Sequence, residues 1–264
     1  MIRDLNDGLP KTNHFFAFRG KELIVRRDGM PMEYADLALL SSSCGRTDFF
    51  EEYEFDLCAL GLDNIYSLPK SYLSEPIRQV IFRADEDDVL RISRAKALLE
   101  WRSATRFCGR CGTSLIEHHI FSARECPNCR NIIFPRIEPC IIVLVSRTNS
   151  SGEEEILLAR HAQRNQDVYT CLAGFMEAGE SAEHAVGREI FEETGLHVRN
   201  IRYFGSQSWP FPSQLMIAFT AEYESGEIHL QKDEISDAQW FKRDKCPDIP
   251  PPGSIAYRLI NNLR

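Results

Sequence analysis

Gly174-Phe-Met-Glu-Ala-Gly-Glu180-Ser-Ala-Glu-His-Ala-Val-Gly-Arg188-Glu189-Ile190-Phe-Glu192-Glu193-Thr-Gly195-Leu196 is the segment that decides how this chain is read. Glu189, Glu192 and Glu193 stand at i, i+3 and i+4. A helix predicted over residues 179–195 puts all three on one face, within a few ångströms of each other. Three like charges so placed repel, and the helix gains nothing from them unless a cation sits among them. Mg²⁺ or Mn²⁺ suits that place, because each accepts carboxylate oxygens and keeps room for phosphate oxygens and water. The alternative is a solvated acidic face without metal, the usual fate of a charge run. Arg188 and Glu180 are placed to pair and to hold the preceding loop onto the helix. Gly195 is placed to end it in a left-handed cap.

Cys140–Val145 and Ile156–Ala159 are apolar runs joined by the turn-rich Thr148–Gly152, which predicts a β-hairpin. Leu215–Tyr223 reads as a strand. Ser254–Leu263 reads as a closing helix, with Ile255, Leu259 and Ile260 apolar. Residues 136–264 are therefore expected to form a mixed α/β domain with its central helix against sheet. Before it, residues 106–135 form a small cysteine module: Cys108-x2-Cys111, fourteen residues, then Cys126-x2-Cys129. Two residues between thiolates let both reach one ion from a tight knuckle, and four sulfurs close the tetrahedral shell of Zn²⁺. A closed shell leaves no place for water, so one structural zinc per chain is expected. A redox pair fits less well, since neither CxxC opens a helix after a strand. Residues 1–105 read as a separate α+β domain. Its strands are expected at His14–Phe18, Glu22–Arg26 and Tyr53–Leu60. A helix is expected over Asp85–Ala104, with Asp85–Asp88 favouring its start. No catalytic constellation stands out there, and a scaffold or dimerisation role is expected.

The 264 residues, 43% hydrophobic and 27% charged, are ordinary for a globular protein. A net charge of −8 argues against a broad nucleic-acid grip driven by counterion release, though it leaves room for a local basic patch. Arg106, Arg110, Arg124, Arg130 and Arg136 surround the cysteine module, where such arginines are usually just solvated. No stretch approaches the ~18 apolar residues that span a bilayer. Met1–Phe18 lacks the apolar core of a secretory signal. Five of the nine cysteines are scattered singly, which reads as a reducing cytoplasm rather than a disulfide framework.

The acidic segment is similar, at every fixed position, to the Nudix box, Gly-x5-Glu-x7-Arg-Glu-aliphatic-x-Glu-Glu-x-Gly-aliphatic. At ~5–7% usage per residue type, seven strict matches by chance are of order one in a million. The resemblance implies an α/β/α sandwich for residues 136–264. It places Glu189 and Glu193 on divalent ions that bridge a pyrophosphate, with Glu192 as a further ligand or the base. Downstream stands Ser206-Gln207-Ser208-Trp209-Pro210-Phe211-Pro212-Ser213-Gln214. By composition this is either a stiff loop offering Trp209 and Phe211 to a nucleobase, or a rigid turn between two strands. It resembles the Ser-Gln-Pro-Trp-Pro-Phe-Pro-x-Ser array of the NADH pyrophosphatase family. That family also carries a four-cysteine ribbon and an extra N-terminal domain.

This resemblance implies a homodimer that splits NADH into reduced nicotinamide mononucleotide and AMP. It further implies that bacterial members remove NAD caps from RNA. Gln207, Ser208, Trp209, Pro210, Phe211, Pro212, Ser213 and Gln214 then line the substrate. Ser208 and Gln214 depart from the pattern, with Ser213 placed to substitute for the last serine. The same resemblance gives Phe175 as a base-stacking aromatic, the Ala173 carbonyl and Glu234 as further metal ligands, and Phe134 in place of a tyrosine touching substrate. Ala256 and Arg78 follow as further substrate contacts. Two other readings remain: a Nudix hydrolase of ADP-ribose or a diadenosine polyphosphate, and a zinc-ribbon nucleic-acid-binding regulator.

Overall fold

The computed structural model describes residues 10–63, 67–163 and 168–263 and the backbone of Ile2–Arg3. It divides into two compact units, residues 1–136 with 210–213, and residues 137–209 with 214–264.

The first unit contains, in chain order, β1 (Ile2–Arg3), β2 (His14–Arg19), β3 (Glu22–Arg26), α1 (Tyr34–Cys44), β4 (Arg46–Glu52), β5 (Leu57–Leu62), β6 (Tyr72–Pro76), α2 (Ile77–Ile81) and α3 (Glu86–Ala104). The strands form one sheet in the order β1-β4-β5-β2-β3-β6, in which β5 and β2 run parallel. All six residues of β5 are buried, as a strand covered on both faces requires. Cys58, Leu60 and Leu62 share a core with Leu37, Leu40 and Cys44 of α1. On the other face, a Cβ on Gly61 would lie 3.6 Å from Leu99 of α3. Helix α3 starts where Asp85 accepts the Asp88 N–H at 2.8 Å, a side-chain cap for one of its unpaired donors. The strand expected over Tyr53–Leu60 is shorter than the sequence suggests. Residues 53–56 make the turn between β4 and β5, with Asp56 at φ 49°, and the ladder begins at Leu57. Aromatic Tyr53 and Phe55 imitate strand composition there. Three two-residue strands, β7 (Ile116–Glu117), β8 (Arg124–Glu125) and β9 (Ile132–Ile133), build the antiparallel cysteine module.

The second unit contains β10 (Glu138–Thr148), β11 (Glu154–His161), β12 (Leu172–Phe175), α4 (Ala182–Thr194), β13 (His197–Trp209), β14 (Gln214–Ser225), β15 (Ile235–Lys242) and α5 (Ile255–Ile260). Its sheet runs β13-β14-β10-β11-β15. Strand β10 is the spine. One edge pairs in parallel with β14, while the other is divided between β12, over residues 140–143, and β11, over residues 145–148. The expected hairpin is thus present, in the register Val145↔Leu157 to Thr148↔Glu154. Alternate residues of β10 face opposite ways. Ile141, Val143 and Val145 pack with Ala185, Val186 and Ile190 of α4. Ile142 and Leu144 pack with Ile255, Ala256, Leu259 and Ile260 of α5. A helix on each face makes the α/β/α sandwich. The closing helix is shorter than the predicted 254–263.

Candidate active site

Helix α4 carries both of its stop signals in sequence. Ser181 accepts the His184 N–H at 3.2 Å, and Gly195, at φ 72°, takes the left-handed cap. Its apolar stripe turns Ala185, Val186 and Ile190 into the core. That orientation carries Glu189 and Glu193 inward, and they are only 9% and 3% exposed. Glu192 stays half exposed. A solvated acidic face would leave all three in water, and two are not.

Arg188 ties the site together. Its Nε and Nη2 donate to the two oxygens of Glu180 at 2.8 and 2.9 Å, the predicted pair between loop and helix. Nη2 also reaches the Phe175 carbonyl at 2.9 Å, and Nη1 reaches Glu189 at 2.8 Å and Glu192 at 2.9 Å. The guanidinium first, with the Glu177 N–H second, holds the Glu180 carboxyl well below the usual carboxylate range. Glu193 has no such help. Burial first, then repulsion from Glu189, Glu234 and Glu192, pushes its carboxyl up to about 8. Its Oε2 is buried with no hydrogen-bond donor. Glu189 is shifted upward as well, chiefly by burial against the opposing pull of Arg188. A buried carboxylate without a donor, facing three others, fits a divalent cation. The glutamates are nonetheless gathered less tightly than the cysteines: among the described residues, no three of them bring one oxygen each within 4.8 Å of one another.

Strand β12 supplies the facing wall. Gly174 lies opposite Ile141, and a Cβ there would sit 1.9 Å from Cδ of Glu189. The glycine is a notch that admits the carboxylate. The spacing marks the position, but only the structure gives its reason. Ala173 is its neighbour, opposite Ile142, and Phe175 is half exposed. Glu234 precedes β15 and its field reaches both Glu189 and Glu193.

The NUDIX domain family matches residues 139–260. The crystal structure of a NUDIX hydrolase from Nitrosomonas europaea aligns at 25% identity and TM-score 0.43, covering 60% of this chain and 86% of that one. The NAD-capped RNA hydrolase NudC of Salmonella typhi is 45% identical over 188 residues, 70% of each chain. That of Pseudomonas aeruginosa strain LESB58 is 45% identical over 202 residues, 76% of this chain and 70% of the relative. The chain belongs to the NudC family of Nudix hydrolases.

The other residues expected of a NudC-type site fall in both units. In the second, Gln207 is tied into the structure: its Nε2 donates to the Gly253 carbonyl at 2.8 Å, and its Oε1 accepts the Ile255 N–H at 2.9 Å. It thereby anchors the start of α5, where Ala256 is buried. Ser208 and Trp209 end β13, opposite Leu215 and Gln214 of β14. Pro210, Phe211, Pro212 and Ser213 form the connection between those strands and group with the first unit. There the Arg78 guanidinium lies 5.5 Å from the centre of the Phe211 ring. Phe134, also in the first unit, is 57% exposed and tilted against Phe121 at 5.9 Å.

The four cysteines of this NudC relative converge as their spacing predicts. The Sγ separations Cys108–Cys129, Cys111–Cys126 and Cys111–Cys129 are 3.6, 3.5 and 3.6 Å. The edge of a tetrahedron with ~2.3 Å metal–sulfur bonds is about 3.8 Å. Backbone N–H groups of Arg110 and Cys129 point at the sulfurs of Cys108 and Cys126, each at 3.4 Å. Hydrogen bonding with Thr113 first of all brings the Cys111 thiol down to about 6, while against the pull of the Asn131 N–H, burial and the neighbouring sulfurs push Cys129 up to about 11. A second group, His118, His119 and Glu125, also converges. His118 Nδ1 already accepts the N–H groups of Ile120 and Phe121, each at 3.1 Å. The ring proton is therefore on Nε2, and no lone pair is left for a metal.

Proposed function

We propose that this chain hydrolyses the pyrophosphate of NADH and NAD⁺ to nicotinamide mononucleotide and AMP, and removes NAD caps from RNA 5′ ends to leave a 5′-monophosphate. The observation that carries the reading is the buried, donor-less carboxylate of Glu193 set among Glu189, Glu192 and Glu234 on a complete Nudix helix. The 45% identity to proteins named NAD-capped RNA hydrolase supports the substrate class.

In this reading Glu189, Glu192, Glu193, Glu234 and the Ala173 carbonyl hold Mg²⁺ or Mn²⁺. A cation held there would supply positive charge for phosphate oxygens and a water of lowered pKa. Arg188 fixes Glu189 and Glu192 relative to β12 and the Glu180 loop, so the carboxylates need little reorganisation. Glu192 and Glu193 are the catalytic pair, one of which accepts the water proton. Phe175, half exposed beside the acidic helix, offers a flat apolar face to a base. Arg78, Phe134, Gln207, Ser208, Trp209, Pro210, Phe211, Pro212, Ser213, Gln214 and Ala256 are assigned to substrate recognition. For Gln207 and Ala256 the assignment is indirect, through the placement of α5.

Cys108, Cys111, Cys126 and Cys129 are assigned one structural Zn²⁺ per chain. The chain is read as three parts, residues 1–105, 106–135 and 136–264, acting as a homodimer in the cytoplasm. No helix among the described residues is long and apolar enough to cross a membrane.

The test is product analysis by mass spectrometry on NADH, NAD⁺, ADP-ribose and NAD-capped RNA, with Mn²⁺ present. Mononucleotide plus AMP, or 5′-monophosphate RNA, is expected. Cleavage of ADP-ribose alone would keep the chemistry and overturn the substrate, and would point to Ser208 and Gln214 as marks of a changed pocket.

A further inference from the structure

Within the first unit, a cleft of about 550 Å³ opens between the end of α3, the start of β4 and the cysteine module. Its floor is a balanced charge network. Arg102 grips Asp48 through Nε at 2.6 Å and Nη2 at 3.1 Å, and its Nη1 lies 2.8 Å from Glu117. Arg124 Nε shares Glu117 at 2.9 Å, and its Nη1 donates to the Arg102 and Thr105 carbonyls at 2.7 and 2.6 Å. Two carboxylates thus offset two guanidiniums.

The rim is not balanced. Arg46 and Arg106 both line the cleft and both are exposed. Among the described residues no carboxylate forms an ion pair with either. Arg46 lies 6.0 Å from the centre of the Phe49 ring, which lines the same cleft. The cleft therefore carries a surplus of two positive charges on a chain of net charge −8. Beside the arginines stand the hydroxyls of Thr47, Ser103 and Ser114, and the ring of Phe107, which is 61% exposed. A planar guanidinium fork matches phosphate oxygens, hydroxyls add donors, and an exposed aromatic face takes a base without reading its identity. The volume suits a single small ligand.

We propose that this cleft binds a nucleotide unit, with Arg46 and Arg106 on its phosphate and Phe107 against its base. A free nucleotide and one residue of an RNA strand share this chemistry. The site involves none of the acidic residues of the second unit, so it stands whether or not the hydrolytic reading does.

The test is calorimetric titration of the full-length, zinc-loaded protein without added divalent ion. The probes are AMP and a short 5′-phosphorylated oligoribonucleotide. The proteins are the wild type, Arg46→Gln/Arg106→Gln, Arg46→Lys/Arg106→Lys and Arg199→Gln, the last removing a cation in the second unit. The double glutamine variant should weaken binding at least tenfold, with partial recovery in the lysine variant and kcat/KM for NADH within twofold of wild type. Weakening for AMP, with or without the oligonucleotide, upholds the site and makes a free nucleotide its ligand. Weakening for the oligonucleotide alone upholds it as a strand contact. The proposal is overturned by absent wild-type binding, by unchanged affinity in the glutamine variant, or by an equal loss in Arg199→Gln. A fall in NADH turnover beyond twofold would also overturn it, by placing the arginines in the hydrolytic site.

Discussion

Glu193 shows how a single residue reports on its site. Its folded carboxyl titrates at about 8, against 4.5 when unhindered, because burial and three neighbouring carboxylates oppose its charge. The metal-free folded state therefore holds this proton more tightly than the unfolded chain. The associated stability is complete below pH 4.5, drains as pH rises, and is gone above about 8. Thermal melts of metal-free protein should fall across that window, by several degrees at this chain length. Glu193→Gln should flatten the fall, and saturating Mn²⁺ should raise the wild-type melt most at the alkaline end. A slope identical in wild type and variant would rule out Glu193 as its source. With Mn²⁺ and NADH, Glu193→Gln should lower kcat by about 10³-fold or more with its fold retained, read by initial rates and circular dichroism. Gly174 tests the same carboxylates from the facing strand. A Cβ 1.9 Å from Glu189 Cδ cannot be accommodated without moving that carboxylate. Displacement near 1 Å costs on the order of 10²-fold in rate, so Gly174→Ala should lose about that factor, and near-normal turnover would refute the notch.

At the scale of elements, α4 was legible because everything that shapes it is local. Ser181 caps it, Gly195 ends it, Arg188 reaches back to Glu180, and the apolar stripe repeats at helical spacing. The β10–β11 hairpin was equally plain, two apolar runs around turn residues. The cysteine module was fixed by spacing alone. Other elements carry no such signal. Strand β13 mixes His, Arg, Asn, Ser and Gln along thirteen residues, and no residue in it is fully buried. It exists because β14 offers it a ladder, and nothing in its own composition says so. Strand β12 has four residues, too few to show a period, yet it supplies the glycine notch. Gln207 read as a substrate residue by motif position. Its two hydrogen bonds to the chain entering α5 are long-range and have no sequence signature. The packing that orients α4 is testable at Ile190, which is fully buried in the core that α4 shares with the sheet. Ile190→Ala should cost about 2–5 kcal/mol in denaturant unfolding with an unchanged slope, and a loss under 1 kcal/mol would show that the α4–sheet contact does not hold the helix.

The molecule as a whole distributes its stability between two differently built units. The second has continuous apolar layers on both faces of β10. The cysteine module in the first has three two-residue strands and a largely exposed apolar surface, including Phe107, Ile116, Ile120 and Phe134. So small a sheet cannot bury enough area to offset chain entropy, and metal binding there is folding free energy. Cys111→Ser removes one corner of the sulfur tetrahedron. The variant should hold well under one zinc per chain by elemental analysis, against one in the wild type. Amide exchange should accelerate across residues 108–133, because the knuckle hydrogen bonds to Cys108 and Cys126 lose the sulfurs' fixed positions. Protection of Ile141–Val145 should persist, since those residues lie in a layer built wholly from the second unit. Full zinc retention in Cys111→Ser would remove the four-sulfur assignment. Loss of protection at Ile141–Val145 in step with the module would instead show that the metal supports both units at once.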